Sequence, residues 1–402
     1  ALGDLNGHLA EVQAAAHAFR ECERVPALLP GPDYPDSVAF YEAMIRGAGK
    51  AGFDFVKVDN QARNLKHYRG TAQPVRSAAH NSRALEAACG AWVDGLINCM
   101  AHNILCVFNT RTSAVSRCSE DYARGDAVRA RRHLHNSYAN MLWLGQTVWG
   151  DHDMFHSNDP AAGRMMALSK AMSGGPVYLS DAPGEFDAEA VRPLCLEDGE
   201  LLRPLAPAAP LPDSIFLDPF EDGRPYRVVA PLPNRAAAVV AYNLSEPETP
   251  VEGRVGPEDY AHAGGMMQPR PERWELPEEG LLLYDWRRRT ARPLDAPVEF
   301  RLAGFGDYFA LLCPVRHGWA AVGRTDKYLS PAAVEVLYWT ERELILRMVE
   351  SGPLAIWRRQ GAVHWSDGNL ERAGDGLWVA DLPVGERDMV FRCRYSRDRS
   401  DA

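Results

Sequence analysis

The sequence predicts an α/β domain built on a parallel sheet, followed by an antiparallel β domain, and three observations lead there. From about residue 36 to 200, helical patterns alternate with short apolar runs, the mark of βα units. A proline-rich stretch, Arg203-Pro204 to Pro212-Asp213, interrupts that alternation. By about residue 220 the texture becomes short alternating apolar segments, such as Tyr226–Ala230, Ala237–Tyr242, Tyr308–Cys313 and Trp319–Val322. Such spacing belongs to antiparallel sheets.

Asp36 and Ser37 can cap a helix running through Phe40, Met44 and Ile45, and Gly47 to Gly52 ends it. Phe53–Asp59 then reads as a strand. A long helical stretch follows around Ala79–Met100, then a strand near Ile104–Phe108, a shorter one near Val115–Ser119 and a helix around Arg131–Leu144. Trp149–Phe155 reads as another strand end, Ala161–Met172 as a helix, Pro176–Ser180 as a strand and Ala188–Leu194 as a final helix. Upstream, residues 1–35 hold at most one helix, around Leu9–Arg20, and no convincing strand.

With 402 residues, 46% hydrophobic and 24% charged, the chain can bury the cores of two domains. A net charge of −10 argues against nucleic acid as partner, because phosphate binding rests on Lys and Arg. The run Arg287-Arg288-Arg289 reads as solvated surface. Eight cysteines without a CxxC pair suggest neither a zinc ribbon nor a disulfide scaffold, so a reducing, cytoplasmic compartment is expected. No apolar run approaches the roughly 18 residues that span a bilayer, and residues 1–30 lack the order of a signal peptide.

Side chains alternate along a strand, so Phe53–Asp59 puts Phe55, Lys57 and Asp59 on one side and Val56 and Val58 on the other. Charged groups at the C-terminal end of a barrel strand face the mouth where active sites sit. The plainer alternative is a Lys57/Asp59 ion pair at a strand end. By the same alternation Trp149, Asp151 and Asp153 share a face, and an aromatic plate beside carboxylates suits a sugar, with its apolar C–H face and its hydroxyls. A loop of solvated acids, or a metal site from His152, Asp153 and His156, competes with that reading. Arg117-Cys118-Ser119-Glu120-Asp121-Tyr122 offers a second carboxylate; if the extended run persists, Arg117, Ser119 and Asp121 share a face and Asp121 is favoured over Glu120. Both acids could instead only cap the next helix. Gly47 to Gly52 fits G-x-G-x-x-G but follows a helix and precedes a strand, the wrong order for a dinucleotide site. Asn243-Leu244-Ser245 fits a glycosylation sequon and reads as a chance match.

Several longer segments together carry a resemblance. Gly52-Phe53-Asp54-Phe55-Val56-Lys57-Val58-Asp59-Asn60-Gln61, Asp151-His152-Asp153-Met154-Phe155-His156-Ser157 and Ser173–Gly184 look like raffinose synthases and seed-imbibition-type alkaline α-galactosidases of glycoside hydrolase family 36. Leu196-Glu197-Asp198-Gly199, Phe216-Leu217-Asp218-Pro219 and Gly318-Trp319 to Pro331 extend the resemblance over about residues 36–345. It implies a (β/α)8 TIM-type barrel over residues 1–219, followed by a C-terminal antiparallel β-sandwich over 220–402. It also implies three strands and a sandwich upstream of Asp59, so the barrel is expected to lack its first strands. Retaining enzymes of this kind need two carboxyl groups, one nucleophile and one acid then base. By resemblance Asp59 is the nucleophile, Lys57 contacts the sugar, and the acid/base lies within Arg117–Asp121. The family's paired aspartates are Glu120 and Asp121 here; Asp121 is chosen, Glu120 kept as an alternative, and Arg117 taken as a substrate contact. Trp149, Asp151, Asp153 and Asp181 would line the galactose pocket, and the family's tryptophan between the two acids is His152 here. The activity implied is hydrolysis of terminal α-galactosides, with raffinose-synthase-type galactosyl transfer and a non-catalytic glycan-binding remnant as rivals. The partner implied is a small carbohydrate, with no metal or organic cofactor required.

Overall fold

The computed structural model describes residues 18–22, 25–68, 72–246, 249–348, 350–366, 368–382 and 387–394. The chain forms two compact units, one of residues up to Ser119 together with Trp143–Asp151, the other of Glu120–Leu142 together with the chain from His152 onward.

In the first unit β1 (Ala18–Cys22) and β2 (Val25–Leu29) pair antiparallel, where no strand is expected from sequence. Five-residue runs broken by charge and by Pro26 give no alternation to read. The helix expected around Leu9–Arg20 lies outside the described residues up to position 17, and its last three positions belong to β1. Helix α1 (Tyr34–Lys50) begins two residues before its expected cap, with Asp33 at the N-cap and proline in its first turn. Ser37 turns inward instead of capping, its one hydroxyl proton shared between Gly31 O at 2.7 Å and Asn81 Oδ1 at 2.9 Å. Phe40, Tyr41 and Ile45 of α1 bury against Ala84, Leu85 and Cys89 of α2 (Pro74–Trp92). The two helices cross so closely that a Cβ on Gly49 would stand 2.3 Å from the Trp92 carbonyl, which only glycine permits.

Beside them β3 (Phe55–Val58), β4 (Gly95–Asn98), β5 (Val115–Arg117) and β6 (Trp149–Asp151) form one parallel sheet in that order. Parallel strands joined through helices are the strands of a (β/α) barrel, here four of them in succession. Two expectations change. The helix expected over Ala79–Met100 stops at Trp92 and β4 follows, because Val93-Asp94-Gly95 breaks the helix while Leu96 and Ile97 find a ladder beside β3. The strand expected at Ile104–Phe108 is a helical turn, capped where the Asn103 side chain accepts the Cys106 N–H at 3.0 Å.

The second unit contains α3 (Ala127–Ala139), capped by Asp126, and α4 (Gly163–Ser173), almost wholly buried. The strand expected at Pro176–Ser180 reduces to one parallel bridge, Phe155 to Leu179. A six-stranded antiparallel sheet follows: β7 (Ala209–Pro210), β8 (Tyr226–Pro231), β9 (Ala237–Tyr242), β11 (Leu281–Asp285), β12 (Thr290–Pro293) and β14 (Asp307–Pro314), while β10 (Val251–Val255) pairs β13 (Val298–Leu302). In β9, Ala238, Val240 and Tyr242 enter one core and Ala237, Val239 and Ala241 another, so the sheet is covered on both faces. Two four-stranded antiparallel sheets lie within residues 319–394. This is the C-terminal antiparallel sandwich that the sequence predicts. Asn243 is buried at the end of β9, its Nδ2 donating to Thr249 O at 2.9 Å and Leu302 O at 3.3 Å.

Candidate active site

Val56 and Val58 of β3 pack on the α1/α2 core, which turns Phe55 and Lys57 the other way. The predicted alternation therefore holds. Asp59 follows directly and is exposed. Its Oδ1 accepts the N–H of Asn60 at 2.8 Å, and Asn60 takes the left-handed conformation, φ 61°. Across the ladder the Cys99 N–H donates to Val58 O at 2.9 Å. Burial pushes the Cys99 thiol pKa up, with Lys57 and Arg117 pulling it down and the Asp59 carboxylate adding to the rise, so Cys99 is a thiol and not a thiolate.

Polar ties hold the strand ends in register. Gln61 Nε2 donates to Val58 O at 3.1 Å and Asn98 Oδ1 at 3.0 Å; Asn98 Nδ2 reaches Ser113 Oγ at 2.9 Å; Ser113 in turn donates to Glu86 Oε1 at 2.7 Å. On β5 and β6 the register pairs Arg117 with Asp151. Asp151 is fully buried, with Lys57 Nζ 3.7 Å and Arg117 Nη1 3.9 Å from its Oδ2. Two cations flank one buried carboxylate, which removes much of the cost of burying it. Trp149, two residues earlier, is half-buried. The structure thus brings Lys57, Arg117 and Asp151 together and puts Asp59 and Trp149 on the same sheet.

The remaining predicted residues belong to the second unit. Extended structure ends at Arg117, so the alternation that favoured Asp121 over Glu120 does not reach them. Both are exposed on a loop that ends at Asp126. Glu120 Oε2 accepts Asn136 Nδ2 at 2.8 Å, and the Asp121 carbonyl accepts Arg129 Nη2 at 3.1 Å. Asp153 departs from the face shared by Trp149 and Asp151, because β6 ends at Asp151 and Asp153 has φ 66°. Its buried carboxylate accepts the Tyr122 N–H at 2.9 Å. Asp181 turns to a neighbouring loop, accepting Ser157 N–H at 2.9 Å, Ser157 Oγ at 3.0 Å and Asn158 N–H at 3.3 Å. Burial raises its pKa, but these donors outweigh burial and hold the carboxyl below the usual range. His152 Nδ1 pairs with Ser169 Oγ at 2.8 Å.

Four residues were not legible as part of this arrangement. Cys99 follows a strand that sequence merges into a helix. Tyr122, His133 and Asp159 act through contacts between distant positions. His133 sits between two carbonyls, Nδ1 2.9 Å from Glu120 O and Nε2 2.9 Å from His152 O. Burial, then the charge of Lys170, lowers its pKa to about 4, and the two carbonyls pull the other way without offsetting this.

Residues 31–244 match the family described as raffinose synthase or seed imbibition protein Sip1. The chain is 36% identical to a probable galactinol–sucrose galactosyltransferase 6 of Arabidopsis thaliana over 46% of this chain and 25% of the relative. It is 32% identical to a galactinol–sucrose galactosyltransferase of Oryza sativa subsp. japonica, over 60% of this chain and 34% of the relative. It therefore spans about a quarter to a third of the length of these relatives. Among solved structures, α-galactosidase I from Mortierella vinacea aligns with a TM-score of 0.47 and 12% identity, over 68% of this chain and 71% of that one.

Proposed function

We propose, from the premise that the chain belongs to the raffinose synthase or seed imbibition protein family, that it serves retaining α-galactosyl transfer, passing the sugar through a covalent intermediate to a carbohydrate hydroxyl. The observation that carries this is the line of side chains at the C-terminal ends of four successive parallel strands: Lys57 and Asp59 at β3, Cys99 after β4, Arg117 on β5 and Asp151 on β6. That end of a parallel sheet is where substrates of such folds bind. Asp59 is the nucleophile at the anomeric carbon. The Asn60 N–H holds its carboxylate, while Lys57, Arg117 and Asp151 offer donors and an acceptor to sugar hydroxyls. Asp121 is the acid that protonates the departing oxygen and the base that activates the acceptor. Glu120, one position earlier on the same loop, is the alternative for that role. Trp149 supplies an apolar plate.

Hydrolysis, the first expectation from sequence, shares every step except the acceptor. The names of the relatives favour transfer. Among the described residues Cys89, Cys99, Cys106, Cys118, Cys195 and Cys313 form no disulfide, which supports a reducing, cytoplasmic setting. No described helix is long and apolar enough to cross a membrane.

The test is product analysis with p-nitrophenyl α-D-galactoside or galactinol as donor, with and without sucrose. A galactosyl-sucrose product that dominates over free galactose is expected, with Asp59→Asn lowering turnover at least ~10³-fold and azide yielding β-galactosyl azide. Free galactose alone at saturating sucrose would return the assignment to hydrolysis. Sugar binding without turnover would make the chain a glycan-binding module.

A further inference from the structure

The loop that carries Asp121 has no ladder or helical bonding of its own between Cys118 and Asp126. Its geometry is nevertheless fixed around one residue. The carbonyl of Glu120, in the peptide before Asp121, meets His133 Nδ1 at 2.9 Å. The peptide after Asp121 is held at both ends, its carbonyl by Arg129 Nη2 at 3.1 Å and its N–H, that of Tyr122, by Asp153 Oδ2 at 2.9 Å. With both flanking peptide planes pinned, the backbone from which the Asp121 side chain departs is fixed. Next to this exposed acid stands Tyr122, buried, its hydroxyl donating to Asp159 Oδ2. The same carboxylate oxygen accepts the Gly125 N–H at 3.0 Å, and Oδ1 accepts the Ala161 N–H at 2.9 Å. One buried aspartate therefore grips the loop on both sides of Ala123 and Arg124, at a turn where Gly125 has φ 75°. Burial raises the Asp159 pKa, but Tyr122 first and then the two amides outweigh it, so the carboxylate stays ionised and accepts all three donors.

We propose that Tyr122 and Asp159 are a positioning pair that aims the Asp121 carboxyl at the departing and entering oxygens; this rests on the reading of Asp121 as acid/base. Neither residue contacts substrate. Their effect is to remove the loop's freedom, and a displacement of about 1 Å of a proton donor costs on the order of 10²-fold in rate.

The discriminating variant is Tyr122→Phe, which keeps the buried ring and deletes one hydroxyl. Proton donation matters for a poor leaving group and little for an activated one. With methyl α-D-galactoside, Tyr122→Phe should lower kcat/KM roughly 10- to 100-fold, against under about threefold with 2,4-dinitrophenyl α-D-galactoside. Asp121→Ala should show the same asymmetry, larger. An equal fall on both donors, or none on either, overturns the positioning role. Absence of the asymmetry in Asp121→Ala would instead remove the acid/base reading itself. A second readout needs no turnover: in Tyr122→Phe, amide hydrogen exchange over residues 119–126 should speed at least ~10-fold while 127–139 keeps its rate. Unchanged exchange over 119–126 overturns the proposal on its own.

Discussion

The end of β3 and the Glu120–Asp126 loop each present an exposed carboxylate, and they hold it by opposite means. Asp59 follows a strand whose backbone is registered against β4 and whose valines sit on hydrocarbon, so its place comes from a ladder and an apolar floor. Asp121 lies on a segment without such a ladder, and its place comes from an imidazole, a guanidinium and two buried carboxylates. Apolar support is non-directional and carries no titrating group; polar support is directional and can titrate. The two carriers should therefore fail under different insults.

The largest effect expected is on the floor beneath β3. Leu85→Ala deletes a side chain from the buried cluster on which Val56 and Val58 pack and should lower unfolding free energy by about 4 kcal/mol, read from urea denaturation, with the same loss at pH 5 and pH 7.5. A loss that changed between those pH values would break the contrast. Next comes His133. Its folded pKa of about 4 lies below the roughly 6.5 of an unfolded histidine, so the unfolded chain binds the proton first as pH falls. The stability of the neutral ring is complete above pH 6.5 and lost between about 6.5 and 4, up to roughly 3 kcal/mol. The parent protein should lose that increment on acidification and His133→Gln should not; identical pH profiles would sink the assignment. The smallest effect belongs to two exposed aromatics, Phe55 on the Lys57 side of β3 and Phe53 just before the strand. Phe53 and Phe55 are 63% and 59% exposed, so either change to Ser should move stability by no more than ~0.5 kcal/mol.

The same contrast marks what was readable in advance. Strand β3 was legible because alternation and a glycine-ended helix preceding it are local signals, and they put Phe55 and Lys57 on the side away from the two valines. Strand β4 was not, since its apolar residues continue the spacing of α2 and only pairing with β3 decides between helix and strand. For Asp121 the alternation argument stopped at Arg117. What orients that loop is a set of contacts reaching 8 to 37 positions along the chain, as from Tyr122 to Asp159, and no local pattern announces them. Asp153 and Asp181 were found as acids, but their carboxylates face backbone amides of loops, a use that periodicity cannot distinguish from facing a sugar.

The buried amide of Asn243 has a consequence in time as well as space. Its nitrogen, the atom to which a glycan would be joined, already serves two carbonyls inside the closed β sheet region. A transferase could reach it only on a nascent chain, and an oligosaccharide installed there would bar the strands from ever closing. Folding and glycosylation at this sequon are mutually exclusive fates, so a finished, folded molecule is by its existence an unmodified one at Asn243.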